Sequence, residues 1–445
     1  MGPMRAHIVV SLLGLVLFAG APPALADREV PGDQPLPGYT VNNPPLPPEV
    51  VNGQPTRVLQ GIHAHSAYTV EVPAKWNGKL AMWAHGYRGT GTVLTVDPPA
   101  YGLRTRMLSQ GYAWAASSYY GNGYDVRAGV QATHDLAKHF GKLVAKPRQV
   151  LIAGVSMGGH VIGRSLEQYP GFYDGALPMC GVLGDHELFD FFLDYQLTAQ
   201  ALTNVRAYPV PADYLTKIVP GIQDKLGTTT LVPGGPDTVT PKGAQFRASV
   251  IDRSGGQRPG ATPAFAYWKD FLFGLATPPA DSAPLAFDPA RLATNLFTRY
   301  QPAELNRTVQ RVAPRDWRSR LSPSLTEIPK ISGRPGVPVV SLHGLGDLFV
   351  PFSMEQAYRD DVSHNGQSRW LVQRAIRTVD HCEFSPAEAG TAWDDLVAWT
   401  DRGEKPAGDA VGSAKDVASP TFGCRFSDRA AYTGPGTRRL FSVCP

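Results

Sequence analysis

The chain has 445 residues, a formal net charge of +4, and only 18% charged residues beside 43% hydrophobic ones. That length holds one large α/β domain with insertions, or two domains. The small net charge and the lack of a Lys/Arg cluster exclude the electrostatic footprint of a nucleic-acid binder, while 46 Gly and 41 Pro indicate many turns and long loops.

Residues 1–26 have the form of an export signal: a cation at Arg5, an apolar run from Ile8 to Ala19, and the small-residue site Ala24-Leu25-Ala26. Cleavage is expected after Ala26. The apolar run is too short to span a bilayer and ends at Pro22-Pro23, so a secreted, soluble protein without a membrane anchor is expected. Residues 27–55 are Pro-rich and read as an extended arm lying on the domain or as a loose lead-in. Residues 56–75 alternate enough for early strands, most clearly at TVEVP.

Lys79 to Ala84 (KLAMWA) reads as a buried strand running into His85-Gly86-Tyr87-Arg88-Gly89-Thr90-Gly91, where Gly86 lets the chain bend sharply. Tyr112 to Tyr119 reads as the next strand. The loop after it, Tyr120-Gly121-Asn122-Gly123-Tyr124, carries tyrosines that either pack or line a pocket, and a helix is expected from about Asp125 to Val144.

The stretch Gln149 to Gly163 (QVLIAGVSMGGHVIG) organises the rest. An apolar run, Val150 to Val155, stops at Ser156, which is flanked by Gly154 and Gly158, and helical spacing follows through Val161 and Ile162. G-x-S-x-G between a strand and a helix places the serine on a strained turn with its hydroxyl above the sheet; side chains at the two glycines would strike the neighbouring strand and helix. Gly159 lets the helix start close to the sheet. The competing reading is an ordinary β-to-α turn or a phosphate site at a helix N-terminus.

After a short strand at Asp174 to Cys180, regular alternation stops. Residues 184–335 hold helical stretches, such as Glu187 to Gln200 and Ala264 to Leu275, broken by Pro/Gly loops. A compact domain does not hold so long an irregular loop, so this is expected to be a cap or lid inserted between two parts of the core, 56–183 and 336–402. Phe189, Phe191, Phe192, Tyr195, Phe265, Tyr267, Trp268, Phe271 and Phe273 give the cap an aromatic interior, part of which is available to face the site and bind an apolar or polymeric substrate.

Val337 to Leu342 resumes the sheet, and the loop after it carries Asp347, which otherwise reads as a cap for the helix near Ser353. Ser368 to Ile376 is the expected last strand. Asp380-His381-Cys382-Glu383-Phe384 follows, with a helix from Pro386 to Asp401. The tail, 403–445, reads as a Gly/Ala/Ser/Asp linker and a small disulfide-closed β appendage, either a polymer-binding flap or a clamp. Four cysteines remain after the signal, Cys180, Cys382, Cys424 and Cys444, and an even number in an oxidising compartment predicts two disulfides. Of the three connectivities, Cys424 to Cys444 and Cys180 to Cys382 are preferred, the first closing the tail and the second tying two loops at the top of the sheet. No C-x-x-C or paired His/Cys spacing supports zinc.

Ser156, Asp347 and His381, in that order with strands between them, give the chain a resemblance to the α/β-hydrolase superfamily over roughly Thr56 to Asp401. The resemblance implies a mostly parallel, doubly wound sheet, with Ser156 as nucleophile, His381 as base and Asp347 orienting the imidazole. It also implies an oxyanion hole from the amides of Met157 and Tyr87, no metal or organic cofactor, and an ester substrate, small molecule or polymer. A serine peptidase releasing short peptides or an acyltransferase shares every one of these residues. A catalytically silent binding protein is the alternative outside enzymes, and an intact triad argues against it. The cysteine after the histidine also resembles the tannase and feruloyl esterase group, where its partner directly precedes the nucleophile. Here Val155 stands in that place, leaving Cys180 as the nearest candidate partner.

Overall fold

The computed structural model describes residues 31–276 and 287–444; residues 1–26, read above as an export signal, lie outside the described residues. Eight strands form the central sheet: β1 (Arg57–His63), β2 (Ser66–Val72), β3 (Lys79–Ala84), β4 (Ala113–Ser117), β5 (Gln149–Val155), β6 (Gly175–Met179), β7 (Val339–Gly344) and β8 (Leu371–Ile376). Their spatial order is β1-β2-β4-β3-β5-β6-β7-β8. β2 runs antiparallel to both β1 and β4, and every other pairing is parallel. This is the α/β-hydrolase fold.

Parallel neighbours need long crossovers, and helices supply them. α1 (Leu103–Ser109) joins β3 to β4, α2 (Val126–Leu143) joins β4 to β5, and α3 (Met157–Gln168) leads from β5 towards β6. Alternation along each strand divides the core. Leu80, Met82 and Ile152 face the layer holding α2 and α3, whereas Ala81, Trp83, Leu151 and Ala153 face the layer of Leu103, Met107, Trp393 and Leu396. Burial on both faces explains why these strands read as nearly unbroken apolar runs. β2 is covered on both faces too, so Glu71 is buried instead of solvent-facing, and it accepts from Trp114 Nε1 at 2.8 Å and Arg104 Nε at 2.7 Å.

Between β6 and β7 stands the cap, built on α4 (Glu187–Leu202), α5 (Val219–Leu226), α6 (Pro241–Arg253) and α7 (Ala261–Gly274). Phe191, Tyr195, Phe265 and Phe273 are its buried interior. Two buried carboxylates of α4 hold the later cap segments: Asp190 pairs with Arg320, and Asp194 pairs with Arg253 and accepts from the Tyr300 hydroxyl. α8 (Ser353–His364) and α9 (Pro386–Arg402) complete the domain. The Pro-rich arm lies on the domain, with Thr40–Asn42 pairing in parallel with Val93–Thr95.

Three expectations need correction. Ser368–Trp370 is a 3-10 turn, closed by Trp370 N–H on Gln367 O, and the last strand begins only at Leu371. The described part of the tail contains no strand: Ser413 and Asp428 cap helical turns at Ala414–Val417 and Arg429–Thr433, a local side-chain bonding that competes with extended structure. Nor are residues 403–413 a free linker. They cover the open edge of β8, with Asp409 N–H donating to Gln373 O and Ala375 N–H donating to Asp409 Oδ2, both at 2.8 Å. The cysteines pair as Cys180–Cys382 and Cys424–Cys444.

Candidate active site

At the end of β5 the chain turns at Ser156 with φ 58° and ψ −123°, a conformation that side-chain-bearing residues rarely adopt. The glycines around it face backbone. A Cβ on Gly154 would lie 2.3 Å from Ala84 O, one on Gly158 2.1 Å from the same oxygen, and one on Gly159 2.3 Å from Gly181 Cα. None of these neighbours can swing aside. Gly158→Ala is therefore expected to destabilise the protein by about 1–3 kcal/mol through overpacking; an unchanged thermal midpoint would show that the gap between β3 and α3 is not the constraint.

The structure brings three side chains from three loops into one hydrogen-bonded line. His381 Nε2 lies 2.9 Å from Ser156 Oγ, and Nδ1 lies 2.5 Å from Asp347 Oδ2. A proton on Nδ1 satisfies both contacts, leaving Nε2 free to accept from the serine hydroxyl. Asp347 is fully buried, and its other oxygen accepts the Phe349 and Val350 N–H groups at 2.9 Å each, so the carboxylate caps its own loop while it faces the histidine. Cys180, His381 and Cys382 also cluster within metal-ligand reach, but the two sulfurs are bonded to each other and are not thiolates.

Opposite the imidazole, the turn after β3 passes close to the nucleophile: a Cβ on Gly86 would lie 3.0 Å from Ser156 Cβ. His85 Nδ1 lies 2.7 Å from Gly86 O. In a planar trans peptide the following N–H points the opposite way, so this contact turns the Tyr87 amide away from His85. The Met157 amide, at the first position of α3, is one of the donors an α-helix leaves without an internal acceptor. Burial lowers the His85 imidazole to about 3, with the nearby Arg88 adding to the effect, so the ring beside this turn is neutral. Of the tyrosines of the next loop, Tyr120 donates to Gln131 Oε1 at 2.8 Å and Tyr124 meets His160 and Phe189, while Tyr119 just before them stacks on His85.

Residues distant in sequence brace the loops. From the cap, buried Arg258 donates to Leu345 O at 2.6 Å, and Trp268 Nε1 reaches Gly346 O and Val379 O at 3.1 and 2.9 Å, joining the acid and histidine loops. Burial lowers the Arg258 guanidinium to about 10, against the opposing pull of Asp347. Tyr101 donates to Cys382 O at 2.7 Å. From the tail, Thr437 Oγ1 accepts the Val379 and Asp380 N–H groups at 2.7 and 3.0 Å and donates to Glu383. Arg438 forms a buried pair with Glu388 and donates to Glu383 O. None of these was picked out from sequence as a brace, Trp268 being read only as one of the cap's aromatics, since each works through a contact with a remote segment and belongs to no local pattern; only His85, beside Gly86, sits within a motif. Thr437→Val keeps the shape and removes the acceptor. It is expected to lower kcat about tenfold with KM little changed, and Thr437→Ser should restore it, whereas a purely structural role would appear in the melting point alone.

An aromatic ledge flanks His381. Phe349 meets the imidazole edge-on at 5.0 Å between centroids, and Phe271 of α7 and Phe192 of α4 lie 4.8 and 6.2 Å from Phe349. Phe271 and Tyr267 are 41% and 38% exposed.

Strand order, elbow and loop positions together define an enzyme fold of the α/β-hydrolase type. No family model matches the chain. It is 23% identical over 409 residues to an o-phthalyl amidase of Xanthobacter agilis, spanning 77% of this chain and 86% of that protein. Among solved structures it is similar to an esterase from Aspergillus oryzae (12% identity, 79% and 81% of the two chains, TM-score 0.48). It is also similar to Candida antarctica lipase A in its closed state (16%, 93% and 92%, TM-score 0.43) and to feruloyl esterase B from Aspergillus oryzae (15%, 79% and 82%, TM-score 0.40).

Proposed function

We propose that the protein is an exported serine hydrolase that cleaves carboxylic esters through an acyl-enzyme intermediate. The observation that carries this reading is the continuous line Ser156 Oγ, His381, Asp347, set on a strained elbow that the turn at Gly86 approaches closely. Ser156 attacks the carbonyl as His381 Nε2 takes its proton; Asp347 holds the ring in the required tautomer and stabilises its cationic form. The Met157 and Tyr87 amides receive the oxyanion, each donor contributing about 3 kcal/mol in comparable sites. His381 returns the proton to the departing alcohol, and water then repeats the sequence to free the acid.

Export rests on the signal-like residues 1–26. Two disulfides are compatible with it, and among the described residues no helix is long and apolar enough to cross a membrane. The test is stoichiometric labelling of Ser156 by a fluorophosphonate, together with hydrolysis of p-nitrophenyl esters from C2 to C16. Absence of both would end the hydrolase reading. The relative named as an amidase favours a second reading, amide cleavage by the same residues. Turnover of a p-nitroanilide faster than the p-nitrophenyl ester of the same acid would select it, and acyl transfer would show as partition of the acyl group to added alcohol.

A further inference from the structure

We propose that the ledge formed by Phe349, Phe271 and Phe192 is the leaving-group subsite, and that the protein prefers substrates whose departing alcohol carries an aromatic ring. This rests on the serine-hydrolase reading above and specifies the substrate class for it. In acyl transfer the group that departs is the one that receives the proton from the imidazolium, so its leaving oxygen must come within hydrogen-bond distance of His381 Nε2, about 2.6–3.2 Å. The acyl carbonyl oxygen is drawn the other way, towards the Met157 amide and the turn at Gly86. The substituent on the leaving oxygen is therefore carried past the imidazole, and the surface that meets the imidazole there is Phe349, edge-on at 5.0 Å.

Behind Phe349 the rings continue outward. Phe271 stands edge-to-face with it at 4.8 Å, Phe192 lies nearly parallel to it at 6.2 Å, and Trp268 contacts both Phe271 and Phe349. Trp268 is fixed, since its indole N–H bonds Gly346 O and Val379 O. The ledge is thus held in place, while Phe271 leaves 41% of its surface open. The exposed ring of Phe271, held on a fixed support and joined to the reacting imidazole through the half-buried Phe349, forms a stacking platform for another ring. The reaction balances without further reagents: the ester C–O bond breaks, the alcohol leaves with the proton from His381, and water later releases the acid.

The test compares two ester series on the wild-type protein: acetates of ethanol, benzyl alcohol and 2-naphthylmethanol, and ethyl esters of acetic, phenylacetic and 2-naphthylacetic acids. The expected result is a kcat/KM rising at least tenfold with ring size in the first series and little in the second. In Phe271→Ala the benzyl-to-ethyl acetate ratio should fall about tenfold, and Phe271→Tyr should restore it. A preference that follows the acyl ring, or a ratio unmoved in Phe271→Ala, would overturn the assignment while hydrolysis itself stands. No turnover in either series, with Ser156 unlabelled by fluorophosphonate, would overturn the underlying reading and the subsite with it.

Discussion

Ser156→Ala is expected to lower kcat by about 10⁶-fold, the loss seen when the nucleophile of a comparable triad is removed. The loss should be so large because the line of groups acts as a unit: without the hydroxyl, His381 and Asp347 have no proton to move, and the residual rate comes from the oxyanion donors and binding alone. The fold should be untouched. Ser156 is buried, its N–H bonds Met179 O at 3.1 Å, and its carbonyl accepts from Gly159 and Val182, all through backbone. The measurement is kcat on the best p-nitrophenyl ester beside the thermal midpoint of both proteins. Retention of more than about a hundredth of the activity would remove Ser156 from the mechanism.

Asp347→Asn is expected to cost about 10⁴-fold in kcat, as the same change does elsewhere through the wrong imidazole tautomer. The local bonding dictates which way the new amide sits. Oδ1 accepts two backbone N–H groups, from Phe349 and Val350, and an NH₂ there would oppose both donors. The carbonyl therefore stays on that side and the NH₂ faces His381 Nδ1, forcing that nitrogen to accept. The ring proton then moves to Nε2, which can no longer take the serine proton. Imidazole proton resonances should report the changed tautomer alongside the slower rate. A loss below tenfold would mean that Asp347 only caps its loop.

Much of this site could be read from sequence because its parts are punctuated locally. Gly154, Ser156 and Gly158 mark a tight strand-to-helix turn, and the structure shows what excludes a side chain there, the Ala84 carbonyl. Asp347 follows an apolar strand, and His381 follows one whose Leu371, Val372, Ala375 and Ile376 flank Gln373 and Arg374, so their loops were identifiable without knowing how the strands were ordered. The bracing was not legible. Thr437, Arg258 and Trp268 act on the two loops across large gaps in sequence, and a lone threonine among Gly and Pro carries no periodicity. The tail misled for a related reason: its aromatic and β-branched residues suggest strands, yet Ser413 and Asp428 start helical turns and the extended piece gives its backbone to β8. The ledge was only partly legible, since composition marks the cap as aromatic but not which rings meet the imidazole.

Ser156 and His381 are 225 residues apart, with the whole cap between them. Bringing the ends of a flexible loop of that length together costs about 5 kcal/mol of chain entropy, so the two are very rarely in register while the intervening chain is disordered. Once the cap has condensed, Arg258 and Trp268 fasten it to the acid and histidine loops and much of that cost has already been met. The line Ser156, His381, Asp347 is thus a product of long-range assembly and not of any segment by itself. Under the proposed export, the serine would stay chemically idle inside the cell until these remote segments had been assembled.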